Sequence, residues 1–362
     1  MWYKPKNESS IFTPAVLVYP DRIQENIRRL ISIAGSSQRL RPHVKTHKMG
    51  EVIKLQVEQG IQKFKCATLS EVEMVAENGG LDVLLAYPTL GPGIGRFLDM
   101  MERYPKVKMA VTVDSTMACE NLSDVAGGRG KVVPVFVDLD NGMHRTGIVP
   151  EDAGELIEFI LVNPNLSFAG LHIYDGHIHE IDIEERRVHC DTDFEPVLAL
   201  CDLLNDEGIE IGELACGGTP TFPIHAEDKS RTLCPGTPLF WDAGYGKNIP
   251  DLDFLPAAVV AGRVISKPAN NVCLDLGYKS IAAEMAHPRL SFLNLEVNST
   301  LNHSEEHLVV STGSSQELLV GDLVYALPIH VCPTIALHER VYAVRDSKVI
   351  ETWKVVARKR YY

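Results

Sequence analysis

The chain has no CxxC pair. Its eight cysteines, Cys66, Cys119, Cys190, Cys201, Cys216, Cys234, Cys273 and Cys332, are scattered over 362 residues. A disulfide framework is therefore not expected, and the thiols read as reduced ones in a cytoplasmic protein. No uninterrupted apolar run reaches the roughly 18–20 residues of a membrane span. The opening MWYKPKNESSIF is polar where an export signal needs an apolar stretch, so export is not expected. Positive charge is also short: 35 Lys and Arg face 48 Asp and Glu, a net charge of −13. Nucleic-acid backbones and anionic membranes both select a basic face, so neither is expected as a partner. A small anionic ligand stays compatible, because a pocket can be positive inside a negative protein. Fixed-period repeats and low-complexity tracts are absent too.

What is present is a 45% hydrophobic content, enough to build a sizeable core. The length suits one large barrel with an accessory domain, or two domains. From about residue 15 to 245 short apolar runs alternate with amphipathic helical stretches. The runs are AVLVY (15–19), LRPHVK (40–45), FKCATL (64–69), DVLLAYP (82–88), KMAVTVD (108–114), VPVFVDLD (133–140), FAGLHIYDG (168–176) and IGELACGG (211–218). A long helix is expected near 184–207. Runs without strict alternation indicate strands covered on both faces, as in a parallel sheet. Eight such units predict a (β/α)8 barrel over residues 12–248, with a doubly wound open sheet as the competing architecture. After residue 250 strands follow one another between turn residues with no helical period. An all-β domain is therefore expected over 249–362, with residues 1–11 packing against it.

The densest chemical segment is Arg41-Pro42-His43-Val44-Lys45-Thr46-His47-Lys48, at the C-terminal end of an expected strand, the face on which barrels carry their active sites. An amine held there, partly desolvated, is a Schiff-base nucleophile. The same residues also suit a basic loop or a phosphate-binding patch. Gly217-Gly218-Thr219 and Gly236-Thr237 follow late strands, where glycine N–H groups and threonine hydroxyls suit phosphate oxygens; a plain tight turn is the simpler reading of either. Gly91-Pro92-Gly93-Ile94-Gly95 lacks the GxGxxG spacing of a dinucleotide loop and reads as a strand-to-helix turn. His172, His177 and His179 share the end of one strand. His330-Val331-Cys332 ends another, and alternation along a strand puts both side chains on one face. Imidazole plus thiolate suits Zn²⁺ with open positions left for water or substrate. A buried thiol beside an incidental histidine is the alternative.

RPHVKTHK resembles the lysine motif of the D-threonine aldolase and D-serine dehydratase family, fold-type III pyridoxal-phosphate enzymes related to alanine racemase. VDLDNGMHRTGI (137–148), CGGTPT (216–221), CPGTPLFWD (234–242), SEEH (304–307), GDLVYALPIHVCPT (321–334) and ETWKVVARKR (351–360) resemble further family segments in the same order. The resemblance implies a (β/α)8 barrel followed by a β domain, and a homodimer. It implies pyridoxal 5'-phosphate on Lys45, with His43, Arg145, Tyr174, Gly218, Thr219, Gly236 and Thr237 as cofactor contacts. Arg145 is then expected near the phenolic oxygen and Tyr174 beside the ring. His330 and Cys332 become the expected divalent-metal site, with the cysteine favouring zinc over Mn²⁺ or Mg²⁺. His177 and His179 are the candidates for the base at a substrate hydroxyl. The implied activity is a lyase acting on small D-β-hydroxy-α-amino acids, by aldol cleavage to glycine and an aldehyde or by dehydration to an oxo acid and ammonia. A non-catalytic pyridoxal-phosphate carrier is the reading from another class, and the β domain with its HxC motif counts against it.

Overall fold

A computed structural model describes residues 1–313 and 318–360. They form two compact units: Leu30–Lys45, Ile53–Gly236 and the chain end from Lys359 in one, and Met1–Arg29, Thr46–Val52 and Thr237–Arg358 in the other. Among the described residues no helix is long and apolar enough to cross a membrane.

The first unit is a curled parallel sheet whose strands follow chain order: Lys63–Cys66, Asp82–Leu85, Lys108–Val113, Val133–Leu139, Leu166–Ile173, Leu214–Cys216 and Arg231–Leu233. Helices alternate with most of them, and their starts are written locally. Thr68 Oγ1 accepts from the Glu71 N–H while Glu71 Oε2 accepts from the Ala67 N–H, a reciprocal cap for Leu69–Glu77. Asp182 likewise caps the long helix Ile183–Asp206. Leu84, Ala110, Phe136, Ala215 and Cys234 pack together as a buried cluster between the strands.

The two edges of this sheet are joined by residues 40–43. Leu40 bridges Leu233, and His43 bridges Lys65. The Arg41 N–H donates to the Leu233 carbonyl at 2.8 Å, and the Lys65 N–H donates to the Pro42 carbonyl at 3.0 Å. Pro42 has no N–H to give, so the segment makes isolated bridges instead of a full ladder and passes into a single 3-10 turn, Val44–Thr46. The expected strand over 40–45 is thus a closing staple.

AVLVY does not belong to the barrel. Ala15–Val18 pairs antiparallel with Ala258–Ser266, Leu17 opposite Val259, and parallel with Arg340–Arg345, Leu17 opposite Tyr342. Arg231–Leu233 takes its place as the last barrel strand. All four residues of Ala15–Val18 are buried, so its apolar run met the same two-sided burial that marks a barrel strand, and pattern alone did not separate them.

The second unit is a nine-stranded, mostly antiparallel sheet containing that strand. Tyr3, Ile11, Leu17, Tyr19, Val259, Tyr325 and Val344 share one core, and the Lys6 N–H donates to the Ser347 carbonyl at 2.7 Å. This unit also holds a short helix, Val331–Leu337, in a stretch expected to be strands and turns without a helical period.

Candidate active site

Lys45 sits in the 3-10 turn after the closing staple, its N–H donating to His43 Nδ1 at 3.3 Å. Its Nζ stands 5.4 Å from the centroid of the Tyr174 ring. Two further cations face the same ring: Arg145, with Cζ at 4.8 Å, and Lys65, with Nζ at 5.1 Å. Three cations around one aromatic ring suit an anionic, planar ligand.

Lys65 was not among the residues the sequence singled out. Its only mark there was a lysine inside an apolar strand, and the strand buries it to 1% exposure. A buried ammonium needs a partner. Its Nζ donates to His172 Nε2 at 3.3 Å, and His172 Nδ1 donates to Asp138 Oδ1 at 2.6 Å. Burial and the Lys65 cation push the His172 imidazole down despite Asp138, which keeps the ring neutral and its Nε2 an acceptor. Burial alone would raise the Asp138 carboxyl, but His172, Thr146 and Lys65 outweigh it and hold it below the usual range.

Other members of the basic octapeptide do different work. Arg41 is 1% exposed and forks onto Glu213, with Nε–Oε1 at 2.7 Å and Nη2–Oε2 at 2.9 Å, while Nη1 donates to Asp82 at 2.8 Å. It is a structural ion, committed before any ligand arrives. His47 is buried, and burial pushes its imidazole down to about 3, so it adds no charge. The positive field is instead assembled from Lys45, Lys65 and Arg145.

The glycine loops are more internally bonded than their motifs suggest. The Gly218 N–H donates to Asp175 Oδ1 at 3.0 Å and to Thr221 Oγ1 at 3.2 Å, and the Gly236 N–H donates to Thr219 Oγ1 at 3.3 Å. These two N–H groups therefore shape the loop and are not left over for phosphate. Gly218 does allow close approach: a Cβ there would meet Tyr174 Cε2 at 3.2 Å. Asp175, 1% exposed, organises this corner, accepting also from Thr221 Oγ1 and His225 Nε2, each at 2.7 Å. The Arg231 guanidinium donates to His225 Nδ1 at 2.8 Å, which fixes the tautomer.

In the second unit His330 is the N-cap residue of Val331–Leu337, so Cys332 lies in the first helical turn and not on a strand. The alternation argument for a shared face therefore fails, yet the two side chains still meet. Burial works against the His330 imidazolium, but the Cys332 sulfur, Glu284 and Asp242 outweigh it and push His330 up to about 9. His330 Nδ1 bonds Glu284 Oε1 at 2.6 Å, which leaves Nε2 as the ring nitrogen that could take a cation. Cys332 Sγ is 3.1 Å from Thr46 Oγ1 and 3.8 Å from Thr237 Oγ1. Asp242, the last residue of CPGTPLFWD, is buried and accepts the Val331 N–H at 2.9 Å, fixing the backbone between His330 and Cys332. If a cation is held here, Glu284→Ala weakens its binding by about 10–100-fold, measured by competition with a chromogenic chelator.

His177 and His179 part ways. His177 Nε2 is 2.7 Å from Asp193 Oδ2, whereas His179 is exposed and its Nδ1 donates to the His177 carbonyl. That tautomer leaves His179 Nε2 as an acceptor.

Residues 18–243 match the alanine racemase N-terminal domain, and residues 257–344 match a putative serine dehydratase domain. A D-threonine aldolase of an Arthrobacter species is 30% identical over 354 residues, covering 96% of this chain and 92% of its own. The chain belongs to the D-threonine aldolase and D-serine dehydratase family. The crystal structure of a D-threonine aldolase from Filomicrobium marinum superposes with a TM-score of 0.86 at 26% identity, covering 98% of this chain and 97% of that one. A cysteine-to-alanine variant of a D-threo-3-hydroxyaspartate dehydratase, described as a metal-free form, shares the fold at 20% identity and a TM-score of 0.78, covering 95% and 97%. Members of this fold-type III family are lyases built on the alanine racemase barrel, and the family implies pyridoxal phosphate.

The residues present fit that group. Lys45 offers an amine for an aldehyde, Tyr174 an aromatic face, and Lys65 and Arg145 fixed cations for anionic oxygens. The His330–Cys332 pair, with Glu284 behind the imidazole, is a donor set for a divalent cation.

Proposed function

We propose that the chain is a cytoplasmic pyridoxal-phosphate and zinc-dependent lyase, a homodimer that cleaves small D-β-hydroxy-α-amino acids to glycine and an aldehyde. Bound pyridoxal phosphate supplies an electron sink that makes the bonds at Cα labile. A divalent cation at His330 and Cys332 supplies Lewis acidity toward a hydroxyl group. The chain's own residues do the rest. Lys45 would hold the cofactor through its amine, Tyr174 would offer an aromatic face, and Arg145 and Lys65 would offset negative charge on it. The Asp138–His172 pair keeps the Lys65 ammonium in place. His43, Gly218, Thr219, Gly236 and Thr237 complete the cofactor's surroundings in this reading.

Aldol cleavage asks for a base at the β-hydroxyl, whereas dehydration asks for one at Cα. The observation that carries the aldolase reading is the split between the two histidines. His177 is tied to Asp193, whereas His179 bonds the His177 carbonyl through Nδ1, so that in this reading its Nε2 takes the hydroxyl proton. The full-length likeness to D-threonine aldolases supports the same choice. Eight cysteines outside any disulfide suit a reducing compartment. Dehydration to an oxo acid and ammonia is the second reading, supported by the likeness to a dehydratase domain over 257–344. The two are separated by the products formed from D-threonine. Loss of the base predicts that His179→Gln lowers kcat by about 10²–10⁴-fold with little change in cofactor absorbance. An unaltered kcat in His179→Gln overturns its role as base.

A further inference from the structure

The tie that withdraws His177 from the role of base belongs to a larger cluster. Asp193 and His189 sit four residues apart on the helix Ile183–Asp206, facing the loop that carries His177. Asp193 Oδ2 is 2.7 Å from His177 Nε2 and 3.3 Å from His189 Nε2, and all three atoms lie within 4.8 Å of one another. Tetrahedral zinc sites, with bonds of ~2.0–2.2 Å, hold ligand atoms roughly 3.3–3.6 Å apart. The His189 pair is already at that spacing, and His177 needs to back off by about half an ångström to match it.

Two observations beyond these contacts point to a cation. The other ring nitrogen of His189 bonds Glu180 Oε1 at 2.7 Å, the carboxylate–histidine arrangement that orients metal-ligating imidazoles. Gly142, at φ +119°, borders the cluster from the neighbouring strand end. A Cβ there would stand 2.8 Å from Asp193 Oδ2 and 2.9 Å from His177 Nε2, so the glycine keeps open a space touching two of the three ligand atoms. His177 Nδ1 is buried and has no partner. With Nε2 on a metal, Nδ1 would carry the ring's proton.

We propose that His177, His189 and Asp193 bind a second divalent transition-metal ion, of the zinc class, with Glu180 orienting His189. The donor set of two imidazoles and one carboxylate suits Zn²⁺ and leaves a fourth position for water. The ion clasps the loop that carries His177 to the long helix. Its ligands are separate from the His330–Cys332 pair, and its metal content is read without reference to the reaction assigned above.

The test removes the other metal first. Full-length Cys332→Ser protein is loaded with excess Zn²⁺, desalted, and its metal counted by plasma mass spectrometry. One equivalent per chain is expected to remain, and to vanish when Asp193→Asn or His189→Gln is added. Cys332→Ser protein without zinc, or zinc that survives both added substitutions, overturns the site. Because the combined variants risk misfolding, cobalt is also loaded into Cys332→Ser protein with its cluster intact. Visible d–d absorption of a protein-bound, low-coordinate cobalt ion is expected, and the weak spectrum of hydrated cobalt alone overturns the site.

Discussion

Lys45→Ala protein is expected to fold, to lose the visible absorbance band that borohydride abolishes in the parent chain, and to lose activity by at least about four orders of magnitude. The argument is local. Lys45 is half-buried with its amine 5.4 Å from the Tyr174 ring centroid, and among the described residues no ion pair includes it. Removing it therefore costs little stability, within about 0.5 kcal/mol, while removing the one amine at this ring placed to hold an aldehyde. Lys65 is close by, but it is buried in the strand Lys63–Cys66 and held as an ammonium donating to His172. A borohydride-sensitive band surviving in Lys45→Ala protein would transfer the cofactor to Lys65 and refute the assignment. Absorbance spectra before and after reduction, with peptide mapping of the labelled lysine, make the check.

Arg41→Met is expected to destabilise the barrel unit by about 3–5 kcal/mol, because it breaks a buried guanidinium's ion pairs with two partly buried carboxylates and leaves Glu213 only Lys63. For a unit of roughly 200 residues that is a fall in melting temperature of about 6–20 °C. Replacing Arg41 and Glu213 together by apolar residues recovers part of the loss, as removing a whole buried pair costs less than breaking it. The same pair sets an acid limit. Burial alone would raise Glu213, but Arg41 and Lys63 outweigh it and hold its carboxyl near about 2. A carboxyl depressed on folding contributes stability that is present above its unfolded pKa of about 4.5 and lost as pH falls toward 2. The shift of about 2.5 pH units corresponds to roughly 3 kcal/mol. Thermal melts between pH 7 and pH 3 are expected to show a steep acid loss in the parent chain and a shallower one in Glu213→Gln. Equal slopes would remove this pair from the acid transition.

Much of this architecture is legible from residue order. Apolar runs alternating with amphipathic helices give the parallel barrel, and the turn-separated strands after residue 250 give the antiparallel sheet. Ala15–Val18 misleads because burial on both faces looks alike in either sheet. Arg231–Leu233 escapes notice because three residues carry no period. At the site, chemistry clustered along the chain is readable and chemistry assembled in space is not. Lys45, Arg145 and Tyr174 stand in recognisable motifs, whereas Lys65 enters only through the strand pairing that brings it to His172. The cationic octapeptide shows the opposite failure: Arg41 and His47 look like ligands until Glu213 and burial claim them. Asp175 and Asp242 each lie inside a segment singled out in the sequence, but their work is to hold backbone, and no spacing announces that.

The most direct measurement is the proton NMR spectrum of products formed from D-threonine in D₂O by the holoprotein with added zinc. Cleavage of the Cα–Cβ bond predicts acetaldehyde together with glycine carrying deuterium at Cα, and no product from L-threonine. An oxo acid appearing with ammonia, and no glycine, would contradict the aldolase account and establish dehydration in its place.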